Sequence, residues 1–401
     1  MRIYLLSISG DNASGISSSL MRLLASHCAR VLDIGQAVIH DSLSLGVLVA
    51  LEDDSNLQAL KTACSEQFEP RGLRVRFKLV EAPDYQQWVA QHGQQKHVLT
   101  LLARELDPQA IAQVTALMAQ QGLDIYHITR LTGRIPLEQI NEGAQACVEF
   151  LVRGKVSDET GFRDQLMGLA STLDVDLAWQ KDNLYRRNRR LVVFDMDSTL
   201  IKQEVIDELA VEAGVGDEVK QVTAAAMRGE IDFDESLRRR VALLEGLPVS
   251  ALDRVGERLE LNNGAERLMK KLNQIGLRTA ILSGGFTWFG DRLRQRLKMD
   301  HMHANSLEII DGKLTGRVTG TIVNGEEKAR LLEAIAQEEG LCLDHVIAVG
   351  DGANDLPMLA KAGLGIAFHA KPVVRESASH SLSQLGLDAI LYLMGYSDAD
   401  Y

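Results

Sequence analysis

The chain has 401 residues, 46% of them hydrophobic and 24% charged, which is enough for two or three folded domains, each with its own core. Its formal charge of −12 removes the positive field that nucleic-acid binding requires. Glycine and proline together make up only about a tenth of the residues, which argues against long disordered tracts.

The opening run Met1-Arg2-Ile3-Tyr4-Leu5-Leu6 is too short for a signal peptide and soon meets Ser7, Ser9, Asp11 and Asn12, so it predicts a strand over 2–8. No apolar stretch reaches the length of a membrane span. Ile16, Leu20, Leu23 and Leu24 share one helical face and predict a helix over 15–28. Strands over 31–39 and 44–51, a helix over 57–68 and a strand over 73–80 complete a βαββαβ unit. A polar, glutamine-rich connector follows at 86–95. The pattern then recurs: a strand at 97–103, a helix at 110–119, strands at 123–131 and 145–152, a helix at 162–173 and a strand at 175–179. This α+β unit resembles the ACT domain. The resemblance implies a small regulatory module that often binds amino acids near the turn after its first strand. The first copy carries Asp11-Asn12-Ala13-Ser14-Gly15 there, and glycine allows close backbone approach. The second carries Asp107-Pro108-Gln109 and no glycine. A regulatory ligand is therefore expected at Asp11 and Gly15, with dimerisation the other role open to both copies.

The short basic run Arg186, Arg187, Arg189 and Arg190 reads as a solvated linker. Beyond it, Leu191-Val192-Val193-Phe194 is continuously apolar, as expected for a strand buried on both faces of a parallel sheet. Similar runs lie at 279–282, 346–349 and 363–368, with helical segments at 264–275, 286–297, 326–338 and 356–362. Strands alternating with helices predict a doubly wound α/β core. The stretch 203–262 holds no clear strand and reads as an inserted helical cap. The expected domains are 1–82, 97–182 and 190–401. Cys28, Cys64, Cys147 and Cys342 are widely spaced with no CxxC pair, which argues against a zinc site or disulfide scaffold and suits reduced thiols in the cytoplasm.

Three apolar strands end in polar turns: Asp195-Met196-Asp197-Ser198-Thr199-Leu200, Ser283-Gly284-Gly285, and Gly350-Asp351-Gly352-Ala353-Asn354-Asp355. Open α/β sheets bind ligands at the carboxyl ends of their strands, so these turns should meet in one crevice. Four carboxylates there would repel one another unless a hard cation such as Mg2+ were bound, and Lys328 could complete the charge balance. DxDx(T/V)(L/V), then serine, then lysine, then GDxxND, in this order, resembles the haloacid dehalogenase superfamily. That resemblance implies Asp195 as nucleophile, forming an aspartyl-phosphate, and Asp197 as general acid and base. It implies Mg2+ on Asp195, Asp351 and the Asp197 carbonyl, phosphoryl contacts from Ser283 and Gly284, and Lys328 offsetting charge. Asn354 and Asp355 would orient the lysine and the metal's waters.

The segment from Ile201-Lys202-Gln203-Glu204 through Phe233 and Ser236-Leu237-Arg238-Arg239-Arg240-Val241 resembles the cap of the phosphoserine phosphatase family. It implies that Glu204 meets a substrate ammonium and Arg240 its carboxylate, with Met227 and Phe233 closing the apolar side. O-phosphoserine is then the expected substrate, L-serine and phosphate the products, the last step of serine biosynthesis the expected place, free serine the candidate regulator and a homodimer the expected assembly. Two alternatives stay open: another small phosphomonoester such as phosphohomoserine or phosphothreonine, and an amino-acid sensor with a vestigial phosphatase half.

Overall fold

The computed structural model describes residues 1–139 and 145–400. The chain divides into two units, 1–94 and 95–401. The first contains β1 (Arg2–Asp11), α1 (Ile16–Ser26), β2 (Arg30–Ile39), β3 (Ser42–Leu51), α2 (Asp54–Phe68), β4 (Arg74–Val80) and α3 (Ala82–Ala90). Its antiparallel sheet has the order β2-β3-β1-β4. Period-2 alternation turns Tyr4, Leu6 and Ile8 of β1 inward, where they meet Leu20 and Leu24 of α1 and Leu60 and Phe68 of α2. Helix α3 occupies much of the stretch expected to be a connector. Glutamine is a good helix former and Pro83 sits in the first turn, so the polar composition did not exclude a helix.

The second unit opens with β5 (Lys96–Ala103), α4 (Pro108–Gln120), β6 (Asp124–Arg130), β7 (Ala146–Arg153), α5 (Glu159–Leu173) and β8 (Asp176–Lys181). The sheet order β6-β7-β5-β8 repeats that of the first unit, strand for strand. An α/β core follows: β9 (Leu191–Phe194), β10 (Arg278–Phe286), β11 (His301–Ile310), β12 (Lys313–Thr319), β13 (Val346–Gly350), β14 (Leu364–Phe368) and β15 (His380–Leu382). These form one seven-stranded sheet, β12-β11-β10-β9-β13-β14-β15, parallel except for β12. Between β9 and β10 the chain forms the cap helices α6 (Val205–Ala213), α7 (Gly216–Met227), α8 (Phe233–Ala242) and α9 (Val249–Arg258). The remaining helices are α10 (Ala265–Gln274), α11 (Thr287–Leu297), α12 (Gly325–Glu338), α13 (Leu356–Lys361), α14 (Pro372–Ser377) and α15 (Ile390–Leu393).

Strand β9 shows why the apolar run was legible. Val192 and Phe194 enter one hydrophobic cluster, Leu191 and Val193 the cluster on the opposite face, and all four are fully buried. Each such burial contributes roughly 1.5–3 kcal/mol. Because β9 lies between β10 and β13, the turns that follow these three strands are neighbours.

Two features depart from the expectation. The hairpin β11–β12 was not anticipated. The basic run is not a solvated linker throughout: Arg187 and Arg190 are exposed, but Arg186 and Arg189 are buried. Arg186 pairs with the buried Glu149 of β7, and Arg189 donates to the carbonyls of Asp344 and Gly363. A buried guanidinium requires such partners, and here they come from distant segments of the same unit.

Candidate active site

The first turn leaves the sheet at Asp195, whose amide donates to the Val349 carbonyl at 2.9 Å and so ties the turn to β13. Residues 196–201 then form one tight turn in which Ser198 has φ 57°, a left-handed conformation unusual for a residue with a side chain. The turn keeps both Asp195 and Asp197 at the crevice. Lys328 lies in the first turn of α12, fully buried, and its Nζ donates to Asp195 Oδ1 at 2.8 Å and Asp355 Oδ1 at 2.7 Å. The other Asp355 oxygen accepts the Asp351 amide at 3.1 Å and the Gly352 amide at 2.9 Å. Gly350 is required here because a Cβ would collide with the Asp355 carboxyl.

Carboxylate oxygens of Asp195, Asp351 and Asp355 lie within 4.8 Å of one another, a donor set that fits a hard divalent cation. Both Asp355 oxygens accept hydrogen bonds, whereas those to Asp195 and Asp351 fall on one oxygen of each, so these two carboxylates fit a metal better. Thr199 steadies Asp351 by donating to its Oδ1 at 3.2 Å. Burial first, then the Asp355 and Glu204 charges, pushes the Asp351 carboxyl up to about 7. Burial and Asp355 likewise raise Asp195, against the pull of Lys328. A bound cation would reverse these shifts by stabilising the ionised forms.

Asp197 differs from the other carboxylates. Its Oδ1 is buried without a hydrogen-bond partner among the described residues. Burial, then the charges of Glu204 and Asp195, raises its pKa well above the carboxylate range, so the group favours its protonated form. Ser283, fully buried at the second turn, accepts the Gly285 amide on Oγ at 2.8 Å. The Gly284 carbonyl accepts from Asn305 Nδ2 at 2.8 Å, while Asn305 Oδ1 takes the Val323 amide at 2.9 Å.

The cap reaches this crevice from above. A Cβ at Gly284 would stand 2.8 Å from Phe233 Cζ, so the Phe233 ring seats against the glycine backbone. Glu204, just before α6, accepts the Ser198 hydroxyl at 2.8 Å. Arg240 is half-buried, donates Nε to the Ser236 carbonyl at 3.3 Å and feels the charges of Glu204, Asp207 and Asp197. Met227 does not join them: it ends α7 with 64% of its surface exposed, so the apolar closure expected of it is not made in this structure. Asn354 lies on the third turn, its Oδ1 beside Gly352. Thr199, Asn262, Asn305 and Asn324 were missed. Two of these had a local signal: Thr199 stands in the DxDx(T/V)(L/V) motif, and Asn324 opens the helix-start pattern Asn-x-x-Glu, its Oδ1 accepting the Glu327 amide at 3.0 Å. In the first unit Asp11 ends β1, and Gly15, at φ 87°, precedes α1.

The haloacid dehalogenase-like hydrolase family model matches residues 192–360 and the ACT domain model residues 2–78. A phosphoserine phosphatase of Streptomyces coelicolor is 41% identical over 396 residues, covering 98% of this chain and 92% of that protein. The phosphoserine phosphatase SerB2 of Mycobacterium tuberculosis is 38% identical over 400 residues, with coverage of 98% and 92%. The solved structure of a probable phosphoserine phosphatase from Vibrio cholerae superposes with a TM-score of 0.59 at 34% identity, over 74% of this chain and 86% of that one. The chain, with N-terminal ACT domains and a haloacid dehalogenase-like core, therefore belongs to the phosphoserine phosphatase family.

Proposed function

We propose that the chain hydrolyses O-phospho-L-serine to L-serine and phosphate through an aspartyl-phosphate on Asp195. The observation that carries this reading is the contrast between two neighbouring carboxyls. Burial raises both, but Asp195 is paired with a buried lysine, while Asp197 keeps a buried oxygen without a partner among the described residues. The first suits an ionised nucleophile, the second an acid waiting for a substrate oxygen.

In this reading Asp195 attacks phosphorus and the P–O bond to serine breaks. Asp197 delivers its proton to the departing serine oxygen. Water then attacks the phosphorus while Asp197 takes its proton, the P–O bond to Asp195 breaks, and phosphate leaves with the Asp195 carboxylate restored. Ser283 and the Gly284 amide receive the phosphoryl oxygens, and Lys328 offsets the charge that builds on them. Asp195, Asp351 and the Asp197 carbonyl would hold Mg2+, which when bound supplies charge neutralisation for the incoming phosphate. Glu204 and Arg240, opposite in sign and close enough to influence each other, fit the ammonium and carboxylate of an amino acid. Phe233 excludes water from the apolar side. Asn354 and Asp355 would orient the lysine and the metal's waters.

The domain limits 1–82, 97–182 and 190–401 belong to the same proposal. So does a homodimer, supported by β2, an edge strand that exposes Val31, Ile34, Val38 and Ile39. Free serine near Asp11 and Gly15 is the proposed regulator. No described helix is long and apolar enough to cross a membrane, and a cytoplasmic location is proposed on the reduced-thiol composition. The test is Mg2+-dependent phosphate release from phosphoserine, phosphothreonine, phosphohomoserine and sugar phosphates. Phosphoserine should be preferred and Asp195→Asn should abolish release. Comparable rates on sugar phosphates, or full activity of the variant, would overturn the proposal.

A further inference from the structure

The chain crosses from core to cap after Ile201 and returns at Leu261. The two crossings are bound together: Ile201 and Leu261 form an antiparallel bridge, and the Lys202 amide donates to the Glu260 carbonyl at 2.9 Å. At the core end of this belt stands Asn262. Its side-chain Nδ2 donates to the carbonyls of Ser198 at 3.2 Å, Thr199 at 2.9 Å and Ile201 at 3.2 Å. Its own amide donates to the Leu200 carbonyl at 2.9 Å. One residue thus reaches four successive carbonyls, 198 to 201, with three N–H groups, one of them shared.

Those carbonyls belong to the turn that follows Asp197, and the turn is not one the chain adopts freely. Ser198 at φ 57° and ψ −3° is left-handed, which costs roughly 1–2 kcal/mol for a residue with a Cβ. Such a conformation persists only where surrounding contacts over-determine it. Asn262 supplies four of those contacts from the segment by which the chain returns from cap to core. Further contacts hold the turn: the Ser198 hydroxyl on Glu204 just before the cap's first helix, the Ser198 amide on the Gln203 carbonyl and the Thr199 hydroxyl on Asp351.

We infer that Asn262 is a positioning residue for the acid–base carboxyl Asp197, and that it transmits the position of the cap hinge to that carboxyl. It touches neither the substrate site nor the metal-binding carboxylates. It acts by fixing the turn 196–201, of which Asp197 is part, so that the carboxyl with its unpartnered Oδ1 keeps its place. The inference rests on the proposed phosphatase reaction.

The test uses two substrates that differ in their need for a proton. A serine alkoxide must be protonated as it leaves, whereas nitrophenolate leaves unaided. For either ester kcat/KM reports phosphoryl transfer to Asp195 and excludes the later hydrolysis step. In the full-length enzyme with Mg2+, Asn262→Ala should lower kcat/KM for O-phosphoserine about 30- to 100-fold, a partial loss of the roughly 100- to 10,000-fold that general acid catalysis supplies. For p-nitrophenyl phosphate the same variant should lose less than about fivefold. Asn262→Asp, of the same shape but without the NH2 donor, should repeat that pattern, and Asn262→Ser, with a short donor, should recover part of the loss. Equal losses on both esters would overturn the inference, since the turn would then be holding the nucleophile or the fold. So would an undiminished rate in Asn262→Asp. Where alanine prevents folding, the aspartate and serine variants carry the test. A wild-type enzyme that released no phosphate from either ester would instead overturn the reaction itself, and the two failures are distinguishable.

Discussion

Lys328 shows how tightly individual residues are bound into this site. It is fully buried and reaches two carboxylates, Asp195 and Asp355. Removing one partner of a buried ion pair costs about 3–5 kcal/mol because the other charge is left uncompensated. Lys328→Met should therefore lower both activity and the apparent melting temperature measured in EDTA. Added Mg2+ should restore part of the melting temperature but not the activity, because a cation can replace the lysine's charge near the carboxylates and not its place at the phosphate. Thermal scans with and without Mg2+ check this, and an unchanged melting temperature in EDTA would refute it. At this scale the sequence was readable where chemistry ends a strand. Asp195, Ser283 and Asp351 each follow an apolar run, so their types and places announce a crevice. Asn262 left no such mark, because it works on atoms far along the chain, and the motif that holds Thr199 did not show its remote partner Asp351. Arg186 was misread for the same reason: a charge looks solvated until its partner, here Glu149, is folded against it.

Among the secondary-structure elements, Asn324 serves both core and cap. Asn324 caps α12 by accepting the Glu327 amide on Oδ1, and its Nδ2 donates to Asp234 Oδ1 of the cap helix α8 at 3.0 Å. The residue that starts the lysine-bearing helix is thus also a catch for the cap. Asn324→Asp should keep the helix cap, since aspartate serves equally there, but should set two carboxylates face to face. We expect kcat/KM for O-phosphoserine to fall about tenfold, mostly through KM, and Asp234→Asn in the same chain to return it to within about threefold, a coupling that a double-mutant cycle measures. Additive losses would remove the catch from the account of cap closure. Most elements were legible from period and length, because buried helices and strands repeat their apolar residues at 3.6 and 2.0. The hairpin β11–β12 was missed although its turn was written plainly. Asp311 and Gly312, at φ 50° and 74°, join Ile310 to Lys313, the Asp-Gly pairing that favours a two-residue hairpin. Its strands lack a clean alternation because β11 is only partly buried along most of its length.

Over the whole second unit, the repeated α+β domain is joined to the phosphatase core by buried polar contacts. His380 of β15 bonds through Nε2 to the Trp179 carbonyl of β8 at 3.0 Å. Asp176 of β8 accepts the amides of Ser383 at 2.8 Å and Gln384 at 2.7 Å. These two groups titrate in opposite senses. Burial, aided by Arg163 and Arg189, lowers His380 to about 4, so the fold prefers its neutral form. That contribution is complete above the free histidine value near 6.5 and is lost as pH falls from there toward 4, amounting to about 3 kcal/mol. Burial raises Asp176 to about 6 against the pull of its two amide donors, so the fold prefers this carboxyl protonated. Its contribution is complete below about 4 and is lost as pH rises through 6. The junction therefore holds one group that weakens it in acid and one that relieves it. His380→Gln keeps a donor for Trp179 without the titration, so its stability relative to the wild type should rise as pH falls from 7 to 4.5. Asp176→Asn keeps an acceptor for both amides, and its advantage over the wild type should be greatest at pH 7 and shrink toward pH 4. Denaturant unfolding across that pH range, followed by tryptophan fluorescence from Trp179, measures both differences. Parallel curves for wild type and either variant would mean that the corresponding group does not titrate at this junction.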